Sequence, residues 1–116
     1  METIMTLTEV VERLGLRVVT PGGSGDSKVT GGYTGDLLSD VMANSKAGNL
    51  WITMQTHQNI LAVAKLKDLA GIVLVNDRQP NEETMRKADE EQVTILSTGE
   101  SAFSISGRLY RLLARP

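Results

Sequence analysis

The only histidine of the chain, His57, stands in a run of hydrogen-bonding side chains, Gln55-Thr56-His57-Gln58-Asn59. The run follows apolar Leu50-Trp51-Ile52-Thr53-Met54 and precedes the apolar segment Ile60 to Leu69. An imidazole in such company can take a proton as a general base, or hydrogen-bond a small polar ligand. Catalysis would also need a nucleophile or a metal. A lone histidine without cysteines cannot assemble a zinc site, and no serine stands in a nucleophile-elbow pattern beside it. An enzymatic reading would therefore have to pair His57 with Asp77 or Asp36 alone, and recognition is better supported than catalysis, with a capping or hydrogen-bonded structural role the plainer reading than either.

Other polar segments could share a site with His57. Asn76-Asp77-Arg78-Gln79 and Ser97-Thr98-Gly99-Glu100 each follow an apolar stretch, and Gly31-Gly32-Tyr33-Thr34-Gly35-Asp36 precedes a helical pattern. A glycine-rich turn entering a helix lets backbone N–H groups approach an anion. The plainer reading of the same residues is a turn with Asp36 as an ordinary helix N-cap. Gly22 to Lys28 lacks the Gly-Lys-Ser/Thr triplet of a phosphate loop. It also has Lys28 where a dinucleotide fingerprint that starts at Gly23 and Gly25 needs its third glycine. The acidic run Glu82, Glu83, Asp89, Glu90 and Glu91 reads as a solvated helix face rather than a metal site.

The elements that must position these residues follow from periodicity. Thr6-Leu7-Thr8-Glu9 is a capping box, Leu7, Val10, Val11 and Leu14 share a helix face, and Gly15 supplies the left-handed stop. Leu16 to Thr20 reads as a short strand and residues 21–28 as a flexible loop. Lys28 onward reads as a short strand breaking into the glycine-rich turn. Asp36 then opens a helix carrying Leu37, Leu38, Val41 and Met42, which ends near Asn44 to Gly48. Thereafter strand and helix alternate: Leu50–Met54 with Ile60–Leu69, Gly71–Val75 with Glu82–Gln92, and Val93–Ser97 with Ser101–Leu113. Met85 and Ala88 mark the inner stripe of the charged helix, and Ala102, Ile105, Leu109 and Leu112 that of the last. Repeated strand–helix units imply parallel strands with helices on the sheet faces, hence an α/β fold with a mostly parallel central sheet. Ligands of such sheets bind beyond the carboxyl ends of the strands, where the loops after Met54, Val75 and Ser97 would converge.

Composition narrows the partners. One domain is expected from 116 residues, with its α/β core over about 29–113. Twelve basic residues against fourteen acidic ones give a net charge of −2, which offers no general attraction to nucleic acid. The absence of cysteine suits a reducing compartment, no apolar run reaches membrane-spanning length, and a cytoplasmic location is expected.

Three segments together resemble the DRTGG domain family: Gly31-Gly32-Tyr33-Thr34-Gly35-Asp36-Leu37-Leu38-Ser39-Asp40-Val41, then Trp51 to Asn59, then Ser97-Thr98 preceding Phe103. The resemblance runs over about Val29 to Leu113. It implies a three-layer α/β/α sandwich, frequent self-association, and an accessory or regulatory role like that of family members in some phosphotransacetylases and pyrophosphatases. The family is also similar to the N-terminal domain of HPr kinase/phosphorylase, but without a Walker motif no kinase activity carries over. The family implies no catalytic residues. This chain departs from the family pattern, with Thr56-His57 where relatives carry Asp-Arg and Val75-Asn76-Asp77 where Thr-Gly-Gly would stand. The expectation is a non-catalytic regulatory domain that needs no cofactor or metal. It would bind a nucleotide-like or other anionic metabolite through Gly31, Gly32, Tyr33, Asp36, Gln55, Thr56, His57, Asn59, Asp77 and Thr98. It would act as a homodimer or on a partner enzyme. The alternative is a protein–protein interaction module with no small-molecule ligand.

Overall fold

The computed structural model describes residues 4–22 and 25–114. Gly23 and Ser24, inside the expected flexible loop, lie outside the described residues. The capping box forms as read: Thr6 Oγ1 accepts from the Glu9 amide at 3.2 Å while Glu9 Oε1 accepts from the Thr6 amide at 3.0 Å. It opens α1 (Leu7–Leu14), which ends on Gly15 at φ 66°. Leu7, Val10 and Leu14 are buried along one face. Two short strands, β1 (Met5–Thr6) and β3 (Lys28–Val29), pair antiparallel beside α1. The described part of the loop returns onto the α1 N-terminus. Ser27 and Gly25 carbonyls accept from the Leu7 and Thr8 amides at 2.8 and 3.0 Å, satisfying helix donors that have no partner within the helix.

Among the described residues the main sheet has five strands in the order β2 (Arg17–Thr20), β7 (Ile95–Ser97), β6 (Gly71–Leu74), β5 (Asn49–Thr53), β4 (Gly31–Thr34). β4, β5, β6 and β7 are parallel, and β2 joins β7 antiparallel. Side chains alternate between two cores, as a pleated strand dictates. Leu50, Ile52, Val73, Val75 and Leu96 face α1 and α5 (Ala102–Leu113). Trp51, Ile72, Leu74 and Ile95 face α2 (Leu38–Asn44), α3 (Asn59–Leu66) and α4 (Glu82–Glu91). The result is the expected three-layer α/β/α sandwich, with β6 buried at every residue because helices cover both its faces.

Three local expectations are corrected. Gly31 and Gly32 do not form a turn: they are the first residues of β4, in register with Asn49 and Leu50. A β-carbon on Gly32 would stand 2.7 Å from Leu109 Cδ2, so the glycine lets α5 lie close on the strand. Asp36 does not cap α2. The N-cap position is Leu37, without a side-chain cap bond, and the Asp36 carboxylate is used elsewhere. In α4 the inner stripe is Thr84 and Ala88, both at 0% exposure, while Met85 is 40% exposed. Thr84 Oγ1 donates to the Thr56 carbonyl at 2.8 Å, which turns that face of the helix inward.

Candidate recognition rim

The carboxyl ends of β4 to β7 form one rim, and the expected site residues divide along it. At the β4–β5 end, Asp36 Oδ1 accepts from the Thr53 hydroxyl and the Met54 amide, each at 2.8 Å. Gln55 Nε2 donates to the Asp36 carbonyl at 2.8 Å, and Trp51 Nε1 to the Gly35 carbonyl at 2.8 Å. Asp36 and Gln55 are thus brought together, as a stitch between two strand ends. Tyr33 donates its hydroxyl to Asp40 of α2. That bond raises the Tyr33 pKa above the ordinary tyrosine value; burial and the Asp40 charge add to it, and a hydrogen bond with Asn44 opposes them.

At the β5–α3 turn, the Thr56 carbonyl accepts from both Thr84 Oγ1 and the Asn81 amide, tying the turn to α4. His57 Nδ1 accepts from the Asn59 amide at 3.2 Å, and its imidazole is exposed. A ring nitrogen that accepts carries no proton, which puts the proton of the neutral ring on Nε2. The N-cap position of α3 is Gln58, without a side-chain cap bond, so His57 does not cap the helix but makes a local hydrogen-bonded turn that brings it together with Asn59.

The third cluster lies between β6 and β7. The loop after β6 leads to α4 on one face of the sheet, and the loop after β7 leads to α5 on the other. Adjacent parallel strands whose loops part to opposite faces open a crevice beyond their carboxyl ends, where open α/β sheets bind ligands. Asp77 and Thr98 stand at this switch point of the sheet, where the two loops are hydrogen-bonded to each other. The Asp77 amide donates to the Thr98 carbonyl at 2.9 Å, the Asn76 amide to the Glu100 carbonyl at 2.9 Å, and the Thr98 amide to the Leu74 carbonyl at 3.0 Å. Asn76 and Asp77 are both left-handed, at φ 57° each. For residues other than glycine this conformation is uncommon and held by its surroundings, here by those two loop-to-loop bonds.

Arg17 completes this cluster, and sequence reasoning missed it. Its Nε donates to Ser97 Oγ at 3.1 Å, and its Nη2 reaches Asp77 Oδ1 at 3.3 Å. Ser97 is 1% exposed and holds the guanidinium in place, whereas the Arg17 and Asp77 side chains are 64% and 70% exposed. An ion pair so exposed contributes about 0–1 kcal/mol and is easily exchanged. Nothing local in the sequence marks Arg17, because it reaches the rim through antiparallel pairing with a strand 80 residues away. Glu100, on the same loop as Thr98, is bound by Arg108 and by the Ser104 hydroxyl.

Gly31 and Gly32 do not join the rim. They lie toward the opposite end of β4 and line a cleft of about 250 Å³ with Thr30, Leu109, Tyr110, Leu113 and Ala114. No buried side-chain nitrogen or oxygen among the described residues lacks a hydrogen-bond partner. Among the described residues no group of three His, Asp or Glu side chains is placed to hold a metal ion, and no helix is long and apolar enough to cross a membrane.

With this geometry, one solved structure is informative. It is the crystal structure of the CBS and DRTGG domains of the regulatory region of Clostridium perfringens pyrophosphatase, complexed with its activator diadenosine tetraphosphate. It aligns with a TM-score of 0.69 at 13% sequence identity, over 90% of this chain and 45% of that one. The chain has a CBS/DRTGG-like fold. It spans less than half the length of the protein it matches. No protein-family model matches the sequence, and no curated protein matches it.

Proposed function

We propose that this chain is a non-catalytic regulatory domain of the DRTGG type. It senses a small anionic, nucleotide-like metabolite and acts through self-association or a partner enzyme. The observation that carries the reading is at the β6–β7 switch point, where an arginine held by buried Ser97 meets Asp77 in an exposed, exchangeable pair. A phosphate oxygen of the ligand takes the place of Asp77 on the guanidinium, which suits planar two-point recognition of phosphate. Asp77 is then released. Because its amide and that of Asn76 tie the loop before α4 to the loop before α5, displacement of its side chain is felt by helices on both faces of the sheet. The similar pyrophosphatase regulatory region, bound to a dinucleoside polyphosphate activator, supports the ligand class.

His57, Asn59 and Thr56 serve this reading as the frame of the neighbouring turn, with His57 Nε2–H free to donate to a ligand base or ribose. Asp36, Gln55 and Tyr33 hold the far end of the rim. Gly31 and Gly32 act apart from it.

The test is a thermal-shift screen against nucleoside phosphates, dinucleoside polyphosphates and acetyl phosphate. A ligand at 100 times its Kd stabilises by about 2.7 kcal/mol. With an unfolding entropy of about 2.1 cal/mol/K per residue, 1 kcal/mol is worth about 4 °C for 116 residues. A bound ligand thus lifts the melting temperature by about 11 °C, and flat responses across the screen would dismiss the sensing role.

A further inference from the structure

We infer that the groove between the end of α1 and the outer face of α5 receives an acidic segment of a partner protein. Arg13, Leu14, Arg108, Arg111 and Leu112 line a cleft of about 400 Å³ there. A second cleft, of about 450 Å³, shares Arg108 and Arg111 and carries the groove past Gly107 to Phe103. No acidic side chain lines either cleft, although acidic residues outnumber basic ones in the chain by fourteen to twelve. Three like charges are thus gathered in one place against their mutual repulsion.

Each cation has a local reason, but their convergence does not. Arg13 and Arg111 stand in the last turns of α1 and α5, where the helix dipole favours a positive charge. Arg108 is held in place: its Nη1 donates to the Leu14 carbonyl at 3.3 Å and pairs with the Glu100 carboxylate. Arg13 and Arg111 are exposed, and their side chains have no ion-pair or hydrogen-bond partner among the described residues. Carboxylates from outside the chain complete them, since a guanidinium binds a carboxylate at two points.

Two features favour a peptide over a phosphate. The groove lies at the carboxyl ends of its helices, where the free backbone groups are carbonyls, whereas phosphate sites gather the amides of helix N-termini. Its cations also stand among apolar surface, with Leu14 and Leu112 at one end and Phe103, 92% exposed, at the other. Arginine and aromatic side chains are the residues that anchor protein interfaces. From Phe103 to Leu112 the helix rises about 14 Å at 1.5 Å per residue, which matches about four residues of an extended segment. Gly107 leaves the middle of this stretch bare, and its own chain does not require the glycine: a β-carbon there would meet no atom within 4 Å.

The inference deepens the partner-docking side of the proposed function and rests on that reading for its purpose. Arg108 joins groove and rim: its partner Glu100 stands on the loop after β7 and accepts at its carbonyl from the Asn76 amide. Fluorescence anisotropy tests the groove, with the full chain titrated into a fluorescein-labelled peptide of repeated Glu-Glu-Leu. The acidic peptide should bind, more weakly as salt rises, and its Lys-Lys-Leu counterpart should not. Arg13→Gln and Arg111→Gln should each weaken binding about two- to fivefold, the worth of one solvated charge pair, and Phe103→Ala at least about fivefold. Arg13→Glu combined with Arg111→Glu should abolish it, while circular dichroism stays that of the parent because both positions are exposed. Arg17→Ala should leave peptide binding unchanged, so groove and rim fail separately. No binding of the acidic peptide, binding indifferent to the double glutamate variant, or binding lost with Arg17→Ala would each overturn the docking surface, and a nucleotide response at the rim would survive that result. Tripolyphosphate that displaces the labelled peptide more strongly than unlabelled peptide does would give the groove to a phosphate ligand, and a dimer lost in the double variant would give it to a second copy; either would overturn the partner.

Discussion

Asp36 gives the sharpest test of how the rim is built. Its Oδ1 accepts from Thr53 Oγ1 and the Met54 amide, both at 2.8 Å. Thr53 is 1% exposed, so in Asp36→Ala its hydroxyl proton has no water to turn to. An unsatisfied buried donor costs about 1–3 kcal/mol. Met54 is exposed, and its amide recovers much of its loss from solvent, leaving about 1 kcal/mol. The sum is about 2–4 kcal/mol, or about 8–16 °C in melting temperature by the entropy scaling. Buried Trp51 reports the transition in fluorescence melts, with urea titration as the equilibrium check. Asp36→Asn keeps the Oδ1 acceptor and should cost about 1 kcal/mol. Asp36→Ser decides between bridge and cap, because serine is an excellent N-cap but too short to reach Thr53. A Ser variant as stable as the parent, or an Ala variant within a degree of it, would refute the bridge.

Two further substitutions test features outside the rim. Gln92 ends α4 in the left-handed region at φ 60°, so Gln92→Gly should stabilise by about 1 kcal/mol, or about 4 °C, in the same melts; no gain would mean that its side-chain bond to Asp89 outweighs the relief. The Tyr33 pKa is raised in the folded state, so the unfolded chain loses this proton first as pH climbs. The stabilisation is therefore full below the ordinary value near pH 10 and is lost as pH rises through the folded value. Tyr33→Phe should flatten this alkaline loss in melts across that range, and an unchanged pH profile would remove Tyr33 as its source.

Local codes were legible in the sequence. Thr6, Glu9 and Gly15 specify both ends of α1 within ten residues, and the unbroken apolar run Gly71–Val75 announces a strand buried on both faces. Features set by distant contacts were not legible. Gly32 looks like a turn residue until Leu109 is seen against it, and Asp36 looks like a cap until the end of β5 arrives to claim its carboxylate. The polar rim was foreseeable from the strand–helix alternation, including Asp77 and Thr98. Its cation was hidden, since Arg17 arrives by antiparallel pairing of the first sheet strand with the last.

The exchange of Asp77 for a phosphate on Arg17 is tested most directly by calorimetric titration of diadenosine tetraphosphate, or the best ligand of the thermal screen, into three proteins: the parent, Arg17→Ala and Asp77→Asn. Removing the cation should abolish measurable binding. Removing the competing carboxylate should tighten it about two- to fivefold, the worth of one solvated charge pair. Equal affinity in all three proteins, or weaker binding by Asp77→Asn, would contradict a sensor at this crevice.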